Sequence, residues 1–124
     1  MLQSYVPAWF EIPTADLERA CRFYGHVVGA TLTVQKMGPM AMAVFPGAEG
    51  QPTGAIMEPM PGCKPGLDGT VVYLNLDDAG AALARAKAAG AEVLVPLTTL
   101  PEGIGVFAQI RDSEGNRVGL FSRA

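Results

Sequence analysis

The feature that most constrains the fold of this 124-residue chain is an internal repeat. The first copy reads AWFEIPTADLERACRFYGHVVGATLTV, and the second reads VVYLNLDDAGAALARAKAAGAEVLV. Each copy combines an alternating strand, an aspartate at a helix start, an amphipathic helix, a Gly-Ala pair and an apolar strand. Ile12 aligns with Leu76 and Gly29 with Gly90, so the chain is predicted to contain two copies of one unit.

Three short strands separated by turn residues are predicted after each helix. They lie within ATLTVQKM, MAMAVFPG and TGAIMEPM in the first copy, and within AEVLVPLTTL, GVFAQIRD and NRVGLFS in the second. Each copy is therefore a βαβββ module. Module one covers residues 5–60, a Pro- and Gly-rich linker covers 59–66, and module two covers 67–123. We expect one α+β domain over residues 1–124, with helices on the outer face of each sheet and the other face concave.

The helix boundaries rest on capping residues. Thr14 or Asp16 is expected to cap the first helix, and Asp77 or Asp78 the second, because short polar side chains accept backbone N–H groups at helix starts. Gly29 is expected to end the first helix.

Composition excludes several classes of partner. The net charge is -3, and the nine Lys and Arg residues are scattered singly, which gives no basic surface for nucleic acid and no polybasic patch for a membrane. No apolar run reaches the length of a membrane span, and the N-terminus lacks the pattern of a signal peptide. Cys21 and Cys63 have no C-x-x-C spacing and are predicted to be free thiols. We expect a cytoplasmic protein.

Strand alternation assigns the residues of the first strand to two faces. Phe10 and Ile12 share the face that leads into the first helix, whose apolar side needs a partner. Trp9 and Glu11 therefore point to the other face, so this face carries a large aromatic side chain and a carboxylate.

The first strand of module two has the same arrangement. Val71, Tyr73 and Asn75 point away from the helix, so both modules place an aromatic and a polar residue at matching positions of the non-helix face. A face that mixes aromatic rings with a few polar groups is typical of a ligand pocket. The alternative is that Glu11 is solvated at a sheet edge and Trp9 packs in a dimer contact.

Three segments resemble the vicinal oxygen chelate superfamily, which includes glyoxalase I, extradiol dioxygenases, and fosfomycin and bleomycin resistance proteins. They are FEIPTADLERACRFYGHVVGATL, VVYLNLDDAGAALARAKAAGAEVL and QIRDSEGNRVGLFS. The last is similar to the family's D-x-x-G-N turn and final strand. The chain most resembles small single-domain members related to lactoylglutathione lyase. The resemblance spans the whole chain and implies two βαβββ modules whose U-shaped sheets surround a cavity, usually in a homodimer.

The metal enzymes of this superfamily carry His or Glu on the first and last strands of each module, facing the cavity. The resemblance places these positions at Pro7 and Val71 on the first strands and at Gly119 on the last strand of module two. In module one the last-strand position is Met57 or, with a small shift, Glu58. The side chains of Pro, Val and Gly cannot donate to a metal.

The composition also argues against a metal site. Zinc, iron and nickel sites of this kind need at least three imidazole or carboxylate ligands, and the one histidine, His26, is predicted at a helix end. An oxygen-only site formed by Glu11 and Glu58 would hold a hard cation weakly. We therefore expect no metal cofactor.

The first hypothesis is a metal-free protein that binds a small molecule, similar to the bleomycin-resistance branch. The predicted ligand-binding residues are Trp9, Glu11, Met57, Glu58, Val71, Tyr73, Asn75, Arg117, Gly119 and Phe121. Phe107 is either a further stacking surface or part of the core. The modest charge argues against bleomycin itself, because a strongly acidic cleft would favour that cationic drug.

Three other hypotheses remain open. A metal-independent lyase or isomerase would use Glu11 as general base, with burial beside Trp9 favouring its protonated form and with Asn75 or Tyr73 stabilising negative charge. A metal-dependent glyoxalase or dioxygenase would need ligands that the sequence lacks. An interaction module would use its aromatic faces to build the dimer.

Overall fold

The computed structural model describes residues 7–47 and 50–124, so residues 5, 6, 48 and 49 of the predicted module one lie outside the described part. The elements, in chain order, are β1 (Phe10–Pro13), α1 (Leu17–Val28), β2 (Thr33–Met37), β3 (Met40–Val44), β4 (Gly54–Met57), β5 (Val72–Asn75), α2 (Ala79–Ala88), β6 (Glu92–Thr99), β7 (Val106–Arg111) and β8 (Arg117–Ser122). The predicted repeat of two βαβββ modules is confirmed. No helix in the described ranges is long and apolar enough to cross a membrane.

An aspartate caps the start of each helix. Its carboxylate accepts the backbone N–H three residues further along, at 3.1 Å for Asp16 and 3.0 Å for Asp78. Thr14, the other candidate for α1, is buried instead and donates its hydroxyl to the Met57 carbonyl oxygen at 2.6 Å. Gly29 ends α1 in the left-handed conformation, with φ at 73°, which a glycine adopts without steric cost.

The eight strands form two four-stranded sheets, one for each module. The strand order is β1-β4-β3-β2 in module one and β5-β8-β7-β6 in module two. In each sheet the first strand of the module runs parallel to the last, and the other pairs are antiparallel. The predicted α+β class with mixed sheets is therefore confirmed.

The two modules share one hydrophobic core. Ile12 of module one and Leu74 of module two belong to the same buried cluster, as strand alternation predicts for the helix-facing side. The aromatic residues Tyr24 and Phe45 meet edge-on within it, with ring centroids 5.4 Å apart. Helices α1 and α2 pack against each other. The helix-facing sides of both sheets are thereby buried in this core, and the opposite faces are not covered by the helices.

Buried hydrogen bonds join the modules. The Tyr24 hydroxyl donates to Asp112 Oδ2 over 2.5 Å, and Asn116 Nδ2 donates to the Pro13 carbonyl oxygen over 2.8 Å. Burial, together with the neighbouring Asp112 carboxylate, raises the pKa of Tyr24 well above its usual value of 10. Tyr24 therefore stays a hydrogen-bond donor at every ordinary pH.

Glu114, in the turn between β7 and β8, caps the helix of the other module. Its Oε1 accepts the backbone N–H groups of Ala15 and Asp16, each at 2.9 Å, and its two oxygens bind the Arg19 guanidinium at 2.8 and 2.9 Å. Burial raises the pKa of Glu114, but these hydrogen bonds and one from Ser113 outweigh it and lower the pKa from 4.5 to about 2. The D-x-x-G-N segment thus fixes module two against the start of α1.

Candidate functional site

The non-helix face of module two carries a row of three paired residues. Tyr73 of β5 pairs with Gly119 of β8, which pairs with Gln109 of β7. Gly119 leaves room for the Tyr73 ring to lie across β8, since a Cβ at this position would be 2.1 Å from Tyr73 Cδ1. The ring reaches far enough that the Tyr73 hydroxyl oxygen lies 2.6 Å from Gln109 Nε2. The missing side chain at Gly119 therefore permits the contact between Tyr73 and Gln109.

Arg117 extends this contact into a polar chain. Its Nη1 donates to Gln109 Oε1 over 2.8 Å, and its Nε donates to the Leu67 carbonyl oxygen over 3.2 Å. We call Arg117, Gln109 and Tyr73 the polar row. Phe107 meets the Tyr73 ring at a centroid distance of 6.0 Å and an angle of 70°, and Tyr73 remains 44% exposed. An accessible aromatic surface thus adjoins polar groups whose geometry is fixed.

Asn75 and Phe121 form the next pair on the same face. They are register partners on β5 and β8, with Asn75 exposed and Phe121 half-buried. Val71, just before β5, is half-buried. The structure therefore brings the predicted residues of module two onto one continuous face.

Trp9 and Glu11 lie on the corresponding side of module one. Trp9 Nε1 donates to Glu11 Oε2 over 3.3 Å, and Trp9 is 40% exposed. Glu11 is also exposed. The burial that would favour a protonated carboxylate, as the general-base hypothesis requires, is therefore absent from the single chain.

The centre of this face in module one, on β3 and β4, is closed and apolar, whereas Thr33 and Gln35 of β2 are exposed at its far edge. Met42, Ala55 and Met57 are buried together, with Val44 and Met60 packed against them. We call these five residues the methionine cluster. Met57 is only 4% exposed, so within the single chain its thioether contacts neighbouring side chains rather than solvent.

Glu58 is used in local structure. Its Oε1 accepts the Ala41 backbone N–H over 2.8 Å, and its own N–H donates to the Ala41 carbonyl oxygen over 3.1 Å. The carboxylate thus accepts a backbone N–H at the start of β3. His26 is exposed in the last turn of α1, as the sequence predicts.

A cleft of about 170 Å³ lies between β1 and the start of β8. Its lining includes two carboxylates, Glu11 and Asp68, and two cationic side chains, Lys64 and Arg117. The cleft therefore brings Glu11 of module one and Arg117 of the polar row to one place. Its charges balance, which agrees with the modest net charge of the chain.

A second, more open depression of about 510 Å³ lies beside α1. Arg22 is the one charged residue in its lining, which also contains Cys21 and residues 29–32. Burial, with a contribution from Glu18, raises the pKa of the Cys21 thiol, so the reactive thiolate is disfavoured. This surface lacks the converging polar groups of the cleft.

The residues at the expected metal positions do not fit a metal site. The Tyr73 ring covers the space that a side chain at Gly119 would occupy, and Met57 lies within the methionine cluster. Pro7 and Val71 carry no donor atom. Within residues 7–47 and 50–124, no three His, Cys, Asp or Glu side chains are grouped so that they could hold a metal ion. The described residues at these positions therefore do not supply the imidazole and carboxylate ligands of such a site.

Gln109 is not among the ligand-binding residues predicted from the sequence. It lies two residues after Phe107 in GVFAQIRD, so strand alternation places both on one face. Strand alternation does not predict the contact between Gln109 and Tyr73, because this contact depends on the register of both β5 and β7 against β8.

The chain matches one protein family and is similar to several known proteins. Residues 7–120 match the sequence model of the Glyoxalase/Bleomycin resistance protein/Dioxygenase superfamily. Two curated proteins named "Putative glyoxylase CFP32", from Mycobacterium bovis (strain ATCC BAA-935 / AF2122/97) and Mycobacterium tuberculosis (strain CDC 1551 / Oshkosh), are 32% identical over 108 residues. The match covers 86% of this chain but only 40% of the length of these relatives.

Solved structures share the fold. TnmS3, an antibiotic binding protein from Streptomyces sp. CB03234, is 28% identical with a TM-score of 0.69, over 100% of this chain and 99% of its own. A glyoxylase/bleomycin resistance protein/dioxygenase domain from Frankia sp. EAN1pec has the same TM-score of 0.69 at 17% identity, over 93% of this chain and 89% of its own.

Proposed function

Since the chain belongs to the Glyoxalase/Bleomycin resistance protein/Dioxygenase superfamily, we propose that it binds a small organic molecule without a metal ion. The binding surface is the non-helix face of module two together with the adjoining cleft. The observation that carries this proposal is the polar row beside the exposed ring of Tyr73. Ligand sites typically combine apolar and aromatic surface with a few fixed polar groups that orient the ligand.

Two further observations support binding without a metal. The expected ligand positions are Pro7, Val71, Gly119 and either Met57 or Glu58, so at most one of them carries a carboxylate or imidazole ligand. TnmS3, which has the same fold over its whole length, is an antibiotic binding protein. A binding role on this scaffold therefore has a precedent in a protein of similar size.

The exposed aromatic residues support a homodimer as part of the proposal. Trp9 and Tyr73 are 40% and 44% exposed in the single chain, and both lie on the non-helix faces. A second copy placed over part of these faces would bury the rings and enclose the ligand. We place the protein in the cytoplasm, since Cys21 and Cys63 are both free thiols and a reducing compartment maintains that state.

Thermal-shift and fluorescence titrations with a panel of aromatic antibiotics and aromatic acids test the proposal, in buffer with and without EDTA. A bound compound should raise the melting temperature with concentration, and EDTA should leave the shift unchanged. Tyr73→Ala should lower the affinity about tenfold or more, because it removes the stacking ring and the hydroxyl.

Val34→Ala is the matched control. Val34 is 51% exposed, but it lies on β2 and pairs with the buried, helix-facing Ala43. This variant should keep wild-type affinity. Binding that requires a metal, or that survives Tyr73→Ala intact, would contradict the proposal.

A further inference from the structure

We infer that the ligand of this site is an aromatic acid, a flat ring bearing a carboxylate or phenolate oxygen, and that Gln109 sets this preference by fixing the Tyr73 hydroxyl as a donor. The inference rests on the proposed function and names the chemical class that the same site selects. It follows from the direction of each hydrogen bond along the polar row.

Arg117 determines the orientation of the Gln109 amide. A guanidinium group donates hydrogen bonds and has no acceptor, so the Gln109 atom 2.8 Å from Arg117 Nη1 must be the carbonyl oxygen Oε1. The amide nitrogen Nε2 then faces the Tyr73 hydroxyl oxygen at 2.6 Å. The opposite orientation would set the amide NH₂ against the guanidinium, with two donors in contact. The amide therefore donates to Tyr73.

The orientation of Gln109 determines in turn what Tyr73 offers to a ligand. An amide NH₂ has no acceptor, so the Tyr73 oxygen accepts from it and the hydroxyl proton must point elsewhere. In the described part of the chain, Gln109 is the only hydrogen-bond partner of the Tyr73 hydroxyl. Because the residue is 44% exposed, the proton is available on the open face. Tyr73 thus presents a donor to an incoming ligand.

The charge of Arg117 strengthens this preference. Its contacts to the Leu67 carbonyl oxygen and to Gln109 Oε1 use two of the five guanidinium hydrogens, which leaves donors for a ligand oxygen. Hydrogen bonds to a charged oxygen are about twice as strong as neutral ones, which favours a carboxylate or phenolate over an amide. Glu11, Asp68 and Lys64 balance Arg117 in the adjoining cleft, so the selectivity belongs to the polar row.

The aromatic part of the ligand follows from the ring of Tyr73. One side of the ring lies over Gly119, whose Cβ position it occupies, and Phe107 packs against it at 70°. The exposed side is a flat apolar surface next to the donors. An aromatic ring stacked in an offset arrangement on this surface would place an oxygen substituent beside the polar row.

Calorimetric titration of the full chain at pH 7 with 2-naphthoate and 2-naphthylmethylammonium tests the inference. The two probes share a naphthalene ring, but one carries a carboxylate that accepts hydrogen bonds and the other an ammonium group that donates them. Wild type should bind naphthoate about tenfold or more tightly than the ammonium probe. Tyr73→Phe should weaken naphthoate about tenfold and leave the ammonium probe unchanged. Gln109→Glu should reverse the preference, because a carboxylate accepts the Tyr73 proton and leaves only hydroxyl lone pairs facing the ligand.

Asn75→Asp separates the effect of hydrogen-bond direction at Tyr73 from the effect of added charge. It adds the same negative charge on the same face without changing a residue of the polar row. Its ratio of naphthoate to ammonium affinity should fall less than that of Gln109→Glu. Equal falls would overturn the inference, as would equal binding of both probes or an ammonium preference in wild type, and in these cases the proposed binding function would stand. If neither probe binds, the proposed function itself is contradicted.

Discussion

The non-helix faces of the two modules differ, although the modules share strand order and an aspartate at each helix N-terminus. In module one the methionine cluster closes the centre of the face, and Trp9, Glu11, Thr33 and Gln35 are exposed at its two edges. In module two the Tyr73 ring and the polar row lie open. One copy of the repeat thus builds apolar packing, while the other offers functional groups. The shared topology fixes where a site can form, and a few side chains decide whether it does.

In each module an aromatic ring packs over a glycine of the neighbouring strand, but the two rings lie on different faces of their sheets. Phe10 lies over Gly54 of the neighbouring parallel strand, and Tyr73 lies over Gly119 in the same way. Phe10 points to the helix side, where it packs against Phe45, whereas Tyr73 points to the open side. The same local packing therefore serves the core in module one and the proposed site in module two.

The largest expected effect comes from adding a methyl group at these two glycines. A Cβ at Gly54 would be 2.2 Å from Phe10 Cε1, so Gly54→Ala should lower the free energy of unfolding by about 3 kcal/mol through overpacking. Gly119→Ala should cost about 1 kcal/mol, because the partly exposed Tyr73 ring can turn toward solvent, but it should abolish ligand binding. Urea denaturation and ligand titration measure the two effects.

Gly66→Ala is the control for this pair, since a Cβ there meets no atom within 4 Å. It should leave the free energy of unfolding nearly unchanged. If Gly54→Ala abolished binding while Gly119→Ala left it intact, the assignment of the two faces would be wrong.

A smaller effect is expected from the carboxylate that joins the modules. The pKa of Glu114 is about 2 in the folded chain and 4.5 unperturbed, so its stabilisation is present above pH 4.5 and is lost as the pH falls toward 2. The loss should be about 2 kcal/mol, reduced from the full linkage value because Arg19 is partly exposed. Stability measured between pH 5 and 2 should fall less in Glu114→Gln.

Glu92→Gln provides the comparison for that experiment. Glu92 lies 4.0 Å from Arg111 on the exposed surface of β6 and β7, where an ion pair contributes little. Its acid profile should match that of wild type. A matching profile for Glu114→Gln as well would show that the turn does not hold the modules together.

The smallest expected effect is the difference in stability between removing a buried tyrosine hydroxyl and removing an exposed one. Tyr24→Phe removes the hydrogen bond to Asp112 and should cost about 1.5 kcal/mol, because Asp112 keeps its bond from Asn116 at 3.0 Å. Tyr73→Phe should cost less than about 0.5 kcal/mol, since solvent replaces its exposed bond. Equal costs in chemical denaturation would contradict the difference between core and open face.

The sequence predicted the repeat, the helix caps and the faces of the first strands, because each depends on local periodicity or on a short-range hydrogen bond. Ile12 and Leu74 lie in the core, and Trp9 and Tyr73 lie opposite, as alternation requires. The roles of Met57 and Glu58 could not be predicted in this way. Burial of Met57 depends on Met42 and Met60, and the bond from Glu58 to Ala41 depends on the register of β3 and β4.

The sequence alone determined that two βαβββ units fold with aromatic and polar residues opposite their helices, since the periods of strand and helix are written in the order of residues. Only the tertiary structure decided that the proposed site lies mainly on module two. The polar row joins β5, β7 and β8, and it exists because Gly119 lets a ring pass over the strand between its partners. The pairing of β5 with β8 joins strands that are distant in the chain, so it is a property of the folded sheet and not of a local pattern.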